Sequence, residues 1–96
     1  MTTARKLKLS PEQVTAVARA LAEPRRFAIL QQIASREGLP CTGLTERDCI
    51  SPATLSHHIK ELQEAELIVA EREGRGMKLS LRRDVWEAYL RELSSM

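Results

Sequence analysis

Ninety-six residues, 43% of them apolar and 29% charged, are enough for one globular domain with a modest core and too few for two. No apolar run approaches the ~20 residues needed to cross a bilayer, and the opening MTTARKLKLS lacks the apolar middle of a signal peptide, so a cytosolic protein is expected. The net charge of +2 names no partner by itself, but basic residues collect in two places: Arg5, Lys6 and Lys8 without an acid, and Arg72, Arg75, Lys78, Arg82 and Arg83 against Glu71 and Glu73.

Residues 1–9 read as a flexible basic arm, followed by a single domain to residue 96. Ser10 then offers an N-cap, Pro11 a first helical residue and Gln13 the far side of a capping box, and Val14, Val17, Ala18 and Leu21 recur at helical spacing. A second helix opens at Pro24. Phe27, Leu30 and Ala34 make one stripe, Ile29 and Ile33 widen it, and Gly38 with Pro40 ends it. A short segment, Leu44 to Asp48, leads through Cys49 and Ile50 to a new start at Ser51 and Pro52. Short helix, tight turn and longer helix make the rhythm of a helix-turn-helix.

At about 100° per residue, the helix after Ser51 turns Leu55, Ile59 and Leu62 inward, and Ala53, His57, Lys60 and Glu64 outward with Thr54 and Ser56 beside them. Small and hydrogen-bonding residues in the first two turns suit approach to base edges and phosphates; Glu61, Glu64 and Glu66 come only later. The adjacent histidines separate on this wheel. His57 points outward, whereas His58 lies about 60° from the centre of the apolar face and caps the core edge.

After Leu67 the period changes to that of strands, with Gly74 and Gly76 bracketing Arg75 at a turn. Alone, such a hairpin could merely carry charges that keep an edge soluble; placed after this helix, it reads as a DNA-contacting wing. The last helix is expected to start at Asp84 with Glu87 completing a box, and spreads Val85, Trp86, Tyr89, Leu90 and Leu93 over a wide arc. So much apolar area predicts a homodimer interface built from Trp86, Tyr89, Leu90 and Leu93 with Val14, Val17 and Leu21 of the first helix. The alternative is that Trp86 completes the protomer's own core. The expected fold is therefore mainly α with a small β-hairpin: a winged helix-turn-helix of about five helices plus a two-stranded wing.

Cys41 and Cys49 are the only cysteines, and a reducing compartment favours free thiols. A helical segment between them would separate them by ~12 Å, beyond the ~7 Å reach of a disulfide. A redox switch through Cys41 or Cys49, alone or by intermolecular pairing, is a candidate role that fits better than metal binding but has no specific sequence signal. Zinc would ask for a C-x₂₋₄-C pair, which is missing, and for histidines on one face. No metal or cofactor is expected. Nor is an enzyme, since the chain has no phosphate-cradling glycine loop, HExxH or GxSxG. The competing reading is a winged helix that docks a protein partner through its apolar terminal helices.

Three blocks, LAEPRRFAIL (21–30), LTERDCISPATLSHHIKEL (44–62) and REGRGMKLSL (72–81), resemble in order and spacing the ArsR/SmtB family of bacterial winged-helix repressors. The resemblance implies a homodimer that binds an inverted-repeat operator in double-stranded DNA and leaves it when an inducer binds. It also implies DNA contacts from Ser51, Thr54, Ser56 and His57, with Arg75 and the basic residues Arg72 and Lys78 in the wing. Pro40 and Thr42 occupy the ligand positions of a Cys-Val-Cys-type metal sensor, and the last helix has no histidine. Cys49 and Glu66 stand where the family has turn glycines, which predicts strain wherever the backbone stays left-handed.

Overall fold

The computed structural model describes residues 7–44 and 50–96. In chain order these form α1 (Pro11–Leu21), α2 (Pro24–Ala34), β1 (Leu39–Pro40), a 3-10 turn (Cys41–Gly43), α3 (Pro52–Glu64), β2 (Ile68–Glu73), β3 (Gly76–Leu81) and α4 (Arg83–Ser94). The three strands make one antiparallel sheet in the order β1-β3-β2. This is a winged helix-turn-helix. The described residues hold four α-helices; the short segment expected over Leu44 to Asp48 falls, after Leu44, outside them.

Local chemistry explains most boundaries. Ser10 and Gln13 close the expected capping box, Ser10 Oγ accepting from the Gln13 N–H at 3.1 Å and Gln13 Oε1 from the Ser10 N–H at 2.8 Å. Glu23 caps α2 through the Arg26 N–H at 3.0 Å. Asp84, expected as the last helix's N-cap, instead sits inside its first turn, because α4 begins at Arg83 and Arg82 holds the cap position without a side-chain bond. Asp84 accepts from Arg82 Nη2 at 2.8 Å, so a guanidinium is the main partner of its carboxylate.

α3 ends in a paired-bond cap in which the Leu67 N–H donates to the Leu62 carbonyl and the Glu66 N–H to that of Gln63. The residue at its left-handed position is Glu66, with φ +64°, the one non-glycine at positive φ among the described residues. The strain expected there is present. Its side chain reaches α1, where Glu66 Oε1 accepts from Gln13 Nε2 at 2.8 Å.

The core gathers Val17, Ile29, Ile33, Leu44, Leu62, Leu67, Leu79 and Val85 from every layer. Burying each such side chain stabilises the fold by roughly 1.5–3 kcal/mol. Two core expectations change. Ala18 is exposed while Ala20 is buried, because α1 turns its Val17 and Ala20 side to the other helices. Leu9, assigned to a flexible arm, is 5% exposed, and Arg91 Nη2 donates to the neighbouring Leu7 carbonyl at 2.8 Å, so residues 7–9 pack against α4.

The hairpin is broader than its two strands. Leu39 pairs with Leu79 and Pro40 with Lys78, adding a two-residue edge where the proline's missing N–H goes unused. Gly38, at φ +70°, brings the chain in under the Lys78 stem, and its N–H donates to Ser80 Oγ at 2.9 Å.

Candidate nucleic-acid interface

Ser51 lies in the extended region and caps α3, its Oγ accepting from the Thr54 N–H at 3.1 Å while its hydroxyl donates to Thr54 Oγ1 at 2.9 Å. The Thr54 hydroxyl proton is thereby left to point at an outside acceptor. Ser51, Ala53, Thr54, Ser56, His57 and Lys60 are all exposed, as the wheel required. Leu62 is fully buried opposite them, with Leu55 and Ile59 packed partly against the core. The start of α3 also carries the positive end of its helix dipole, which favours a phosphate.

The wing stands beside this helix. Gly74, φ +60°, takes the first place of the two-residue turn, so the hairpin closes with Arg75 at its tip. Register assigns its faces: Ile68, Ala70 and Arg72 oppose Leu81, Leu79 and Met77 on one side, and Glu71 and Glu73 oppose Lys78 and Gly76 on the other. Arg72 and Arg75 are exposed. Lys78 differs from the sequence-based expectation. Its ammonium lies 3.3 Å from Glu73 Oε2 and its stem covers Gly38, so this charge is shared with an acid and held against the sheet.

His58 is buried, on the inner edge of α3 where the wheel placed it. What the sequence reading missed are its partners, Arg26 at 3.5 Å from Nδ1 and Glu23 at 3.8 Å from Nε2. No local spacing signals them, because they lie more than thirty residues away in the chain. Cys41 borders the beginning of α3 in a small cleft with Pro52, Leu55 and Ser56. Burial pushes its thiol above the ordinary cysteine range, away from the reactive thiolate. Cys49 lies outside the described residues.

The expected dimer residues divide. Val17 is fully buried and Tyr89 is 7% exposed, both inside the protomer's own core, so neither has surface for a partner. Leu90 and Leu93 remain exposed at 43% and 42%, and Val14, Leu21 and Trp86 are half-buried. Trp86 also borders a cleft with Phe27 and Leu30 of α2, so it serves the protomer at least in part. A groove of about 600 Å³ runs between Leu7–Leu9 and the Ala88–Ser95 side of α4.

A capped helix bare of bulk on its outer side, with a hairpin tipped by arginine beside it, defines a DNA-binding winged helix. Residues 21–71 match the family described as a helix-turn-helix domain. YceK of Bacillus subtilis, an uncharacterized HTH-type transcriptional regulator, is 34% identical over 86 residues, covering 88% of this chain and 86% of its own length. NmtR of Mycobacterium tuberculosis, an HTH-type transcriptional regulator, is 39% identical over 70 residues, or 72% of this chain and 57% of NmtR. Among solved structures, a homodimeric winged helix-turn-helix DNA-binding domain from Mycobacterium bovis, described as a possible ArsR-family regulator, superposes with TM-score 0.69 at 27% identity, covering 88% of this chain and 79% of that one. An ArsR-like regulator from Rhodococcus shares the fold with TM-score 0.74 at 20% identity, over 88% of this chain and 78% of its own. The chain belongs to the helix-turn-helix family of DNA-binding transcriptional regulators, and bears out the resemblance to its ArsR branch.

Proposed function

We propose that this regulator is a homodimeric repressor that lays α3 of each protomer in successive major grooves of an inverted-repeat operator and leaves when an inducer binds. The observation that carries the reading is the outer side of α3, where Ser51, Ala53, Thr54, Ser56, His57 and Lys60 are exposed together beside the wing. Half-site centres then lie ~34 Å apart, one turn of B-DNA. Thr54 and His57 read base edges, and Lys60, Arg72 and Arg75 hold phosphates. Lys78, tied to Glu73, adds little to the contact.

Dimerisation rests on Leu7, Leu90 and Leu93, with Val14, Leu21 and the free edge of Trp86. The homodimeric Mycobacterium bovis domain supports this assembly. The inducer does not use the family's two metal sites, since Pro40 and Thr42 replace the cysteines of one and α4 has no histidine for the other.

The reading is tested by titrating the purified protein against the DNA upstream of its own gene and against a shuffled duplex, at two salt concentrations. Preferential, salt-sensitive binding by a dimer is expected. No binding to either duplex at low salt would instead favour a module that docks a protein partner.

A further inference from the structure

His58 follows His57 on α3, yet only 6% of its surface reaches solvent. Its ring closes a cluster drawn from three helices. Arg26 Nη1 lies 3.5 Å from Nδ1, Glu23 Oε1 lies 3.8 Å from Nε2, and Arg26 Nε donates to the Ala20 carbonyl of α1 at 2.8 Å. Glu23 in turn accepts the Arg26 backbone N–H as the cap of α2. The recognition helix is therefore pinned, through one imidazole, to the corner where α1 ends and α2 begins.

A guanidinium only donates hydrogen bonds, so the nitrogen facing it must accept. That assigns the neutral ring with its hydrogen on Nε2, pointing at the Glu23 carboxylate. A proton added at Nδ1 removes the acceptor and sets imidazolium against guanidinium. The charged groups acting on the ring are Glu23, Arg25 and Arg26 from α2 and its cap, and His57, whose ring centroid is 5.9 Å away on α3 itself. From α1 the cluster receives the Ala20 carbonyl, by way of Arg26. β2, which also packs on α3, adds no charged group acting on the ring among the described residues.

We propose that His58 is a positioning residue for DNA reading: its neutral ring, held between Arg26 and Glu23, sets the rotation of α3 on the α1–α2 corner, and proton uptake releases that hold. Burial lowers its proton affinity below that of an ordinary histidine, with Glu23 pulling the other way and Arg26 reinforcing the drop, so release falls on the acid side of the usual histidine range. Acid thus erodes the preference for one sequence over another.

This rests on the operator-binding reading, so its test has one arm with DNA and one without. The ratio of affinities for the upstream duplex and its shuffled counterpart is measured at fixed salt at pH 7.5 and 5.5, for wild type and His58→Gln. The glutamine amide oxygen accepts from Arg26 and does not titrate. Wild type is expected to lose about tenfold in this ratio, the worth of one charged hydrogen bond, and His58→Gln to stay within about twofold. Equal losses in both proteins, or none in wild type, overturn the proposal. Without DNA, nitrogen-15 spectra of wild type are expected to show Nε2–H His58 at pH 7.5, and α3 amides moving with the same midpoint as its ring. An Nδ1–H ring, or amides of α3 that ignore its titration, overturns the proposal even if no duplex binds and even if His58→Gln fails to fold. Lack of binding to any duplex, with the spectra as expected, would refute operator binding alone.

Discussion

Arg75→Ala removes the cation at the hairpin tip without deleting a packed atom, since Arg75 is exposed in a two-residue turn between Glu73 and Gly76. Each phosphate neutralised by a cation contributes about 0.9 to the slope of log affinity against log salt. A dimer that loses one contact per protomer should flatten its slope by about 1.8. Between ~50 and ~200 mM salt, a fourfold range, that amounts to roughly a twelvefold smaller loss of affinity than wild type suffers. The control comes from the same hairpin: Glu73→Gln with Lys78→Met abolishes the ion pair seen at 3.3 Å and leaves net charge unchanged. Its slope should match wild type. Fluorescence anisotropy titrations of a labelled upstream duplex across that salt range read both variants. The wing assignment fails if Arg75→Ala keeps the wild-type slope, and the distinction between the two cations fails if the paired variant flattens it equally.

Glu66→Gly replaces a side chain at φ +64° by the residue that tolerates it, at the loss of one exposed bond to Gln13. A gain of about 1 kcal/mol is expected, seen as a rise of roughly 4 °C in the thermal midpoint; a lower midpoint would show that the Gln13 bond outweighs the strain. Leu90→Glu with Leu93→Glu places charges on the exposed side of α4 and should give a folded monomer by sedimentation with affinity lowered at least about tenfold, whereas an intact dimer would move the interface elsewhere. Because the folded state holds His58 neutral where an unfolded histidine would already be protonated, its contribution is complete above about pH 6.5 and declines as pH falls from there toward the lower folded value. Thermal midpoints from pH 7.5 to 5 should fall in wild type and fall less in His58→Gln; parallel curves would remove His58 as the cause.

Features that depend on residues a few positions apart are legible in the amino-acid sequence. The Ser10–Gln13 box, the Ser51 cap, the inward side of Leu55, Ile59 and Leu62, and the glycine-framed tip at Arg75 all follow from bonds or periodicities spanning at most about four residues. The outer side of α3, on which the proposed DNA contact rests, belongs to that group. Asp84 shows the limit of such reading: it has the spacing of an N-cap, but Arg82 claims its carboxylate and α4 starts earlier.

Packing between elements set how each wide apolar arc is shared between core and surface. A helix with apolar residues over much of its circumference does not say which of them face inward; packing into the shared core put Val17 and Tyr89 inside and left Leu90 and Leu93 outside. Strand register likewise set Lys78 beside Glu73 and recruited Leu39 and Pro40 as a third strand. The meeting of His58 with Arg26 and Glu23 needed three helices to converge. Short-range spacing is enough to predict a bare polar helix and a basic tip directed at DNA. What holds that helix in place comes from the converging helices, since a buried ring takes its partners from whatever the fold brings to it.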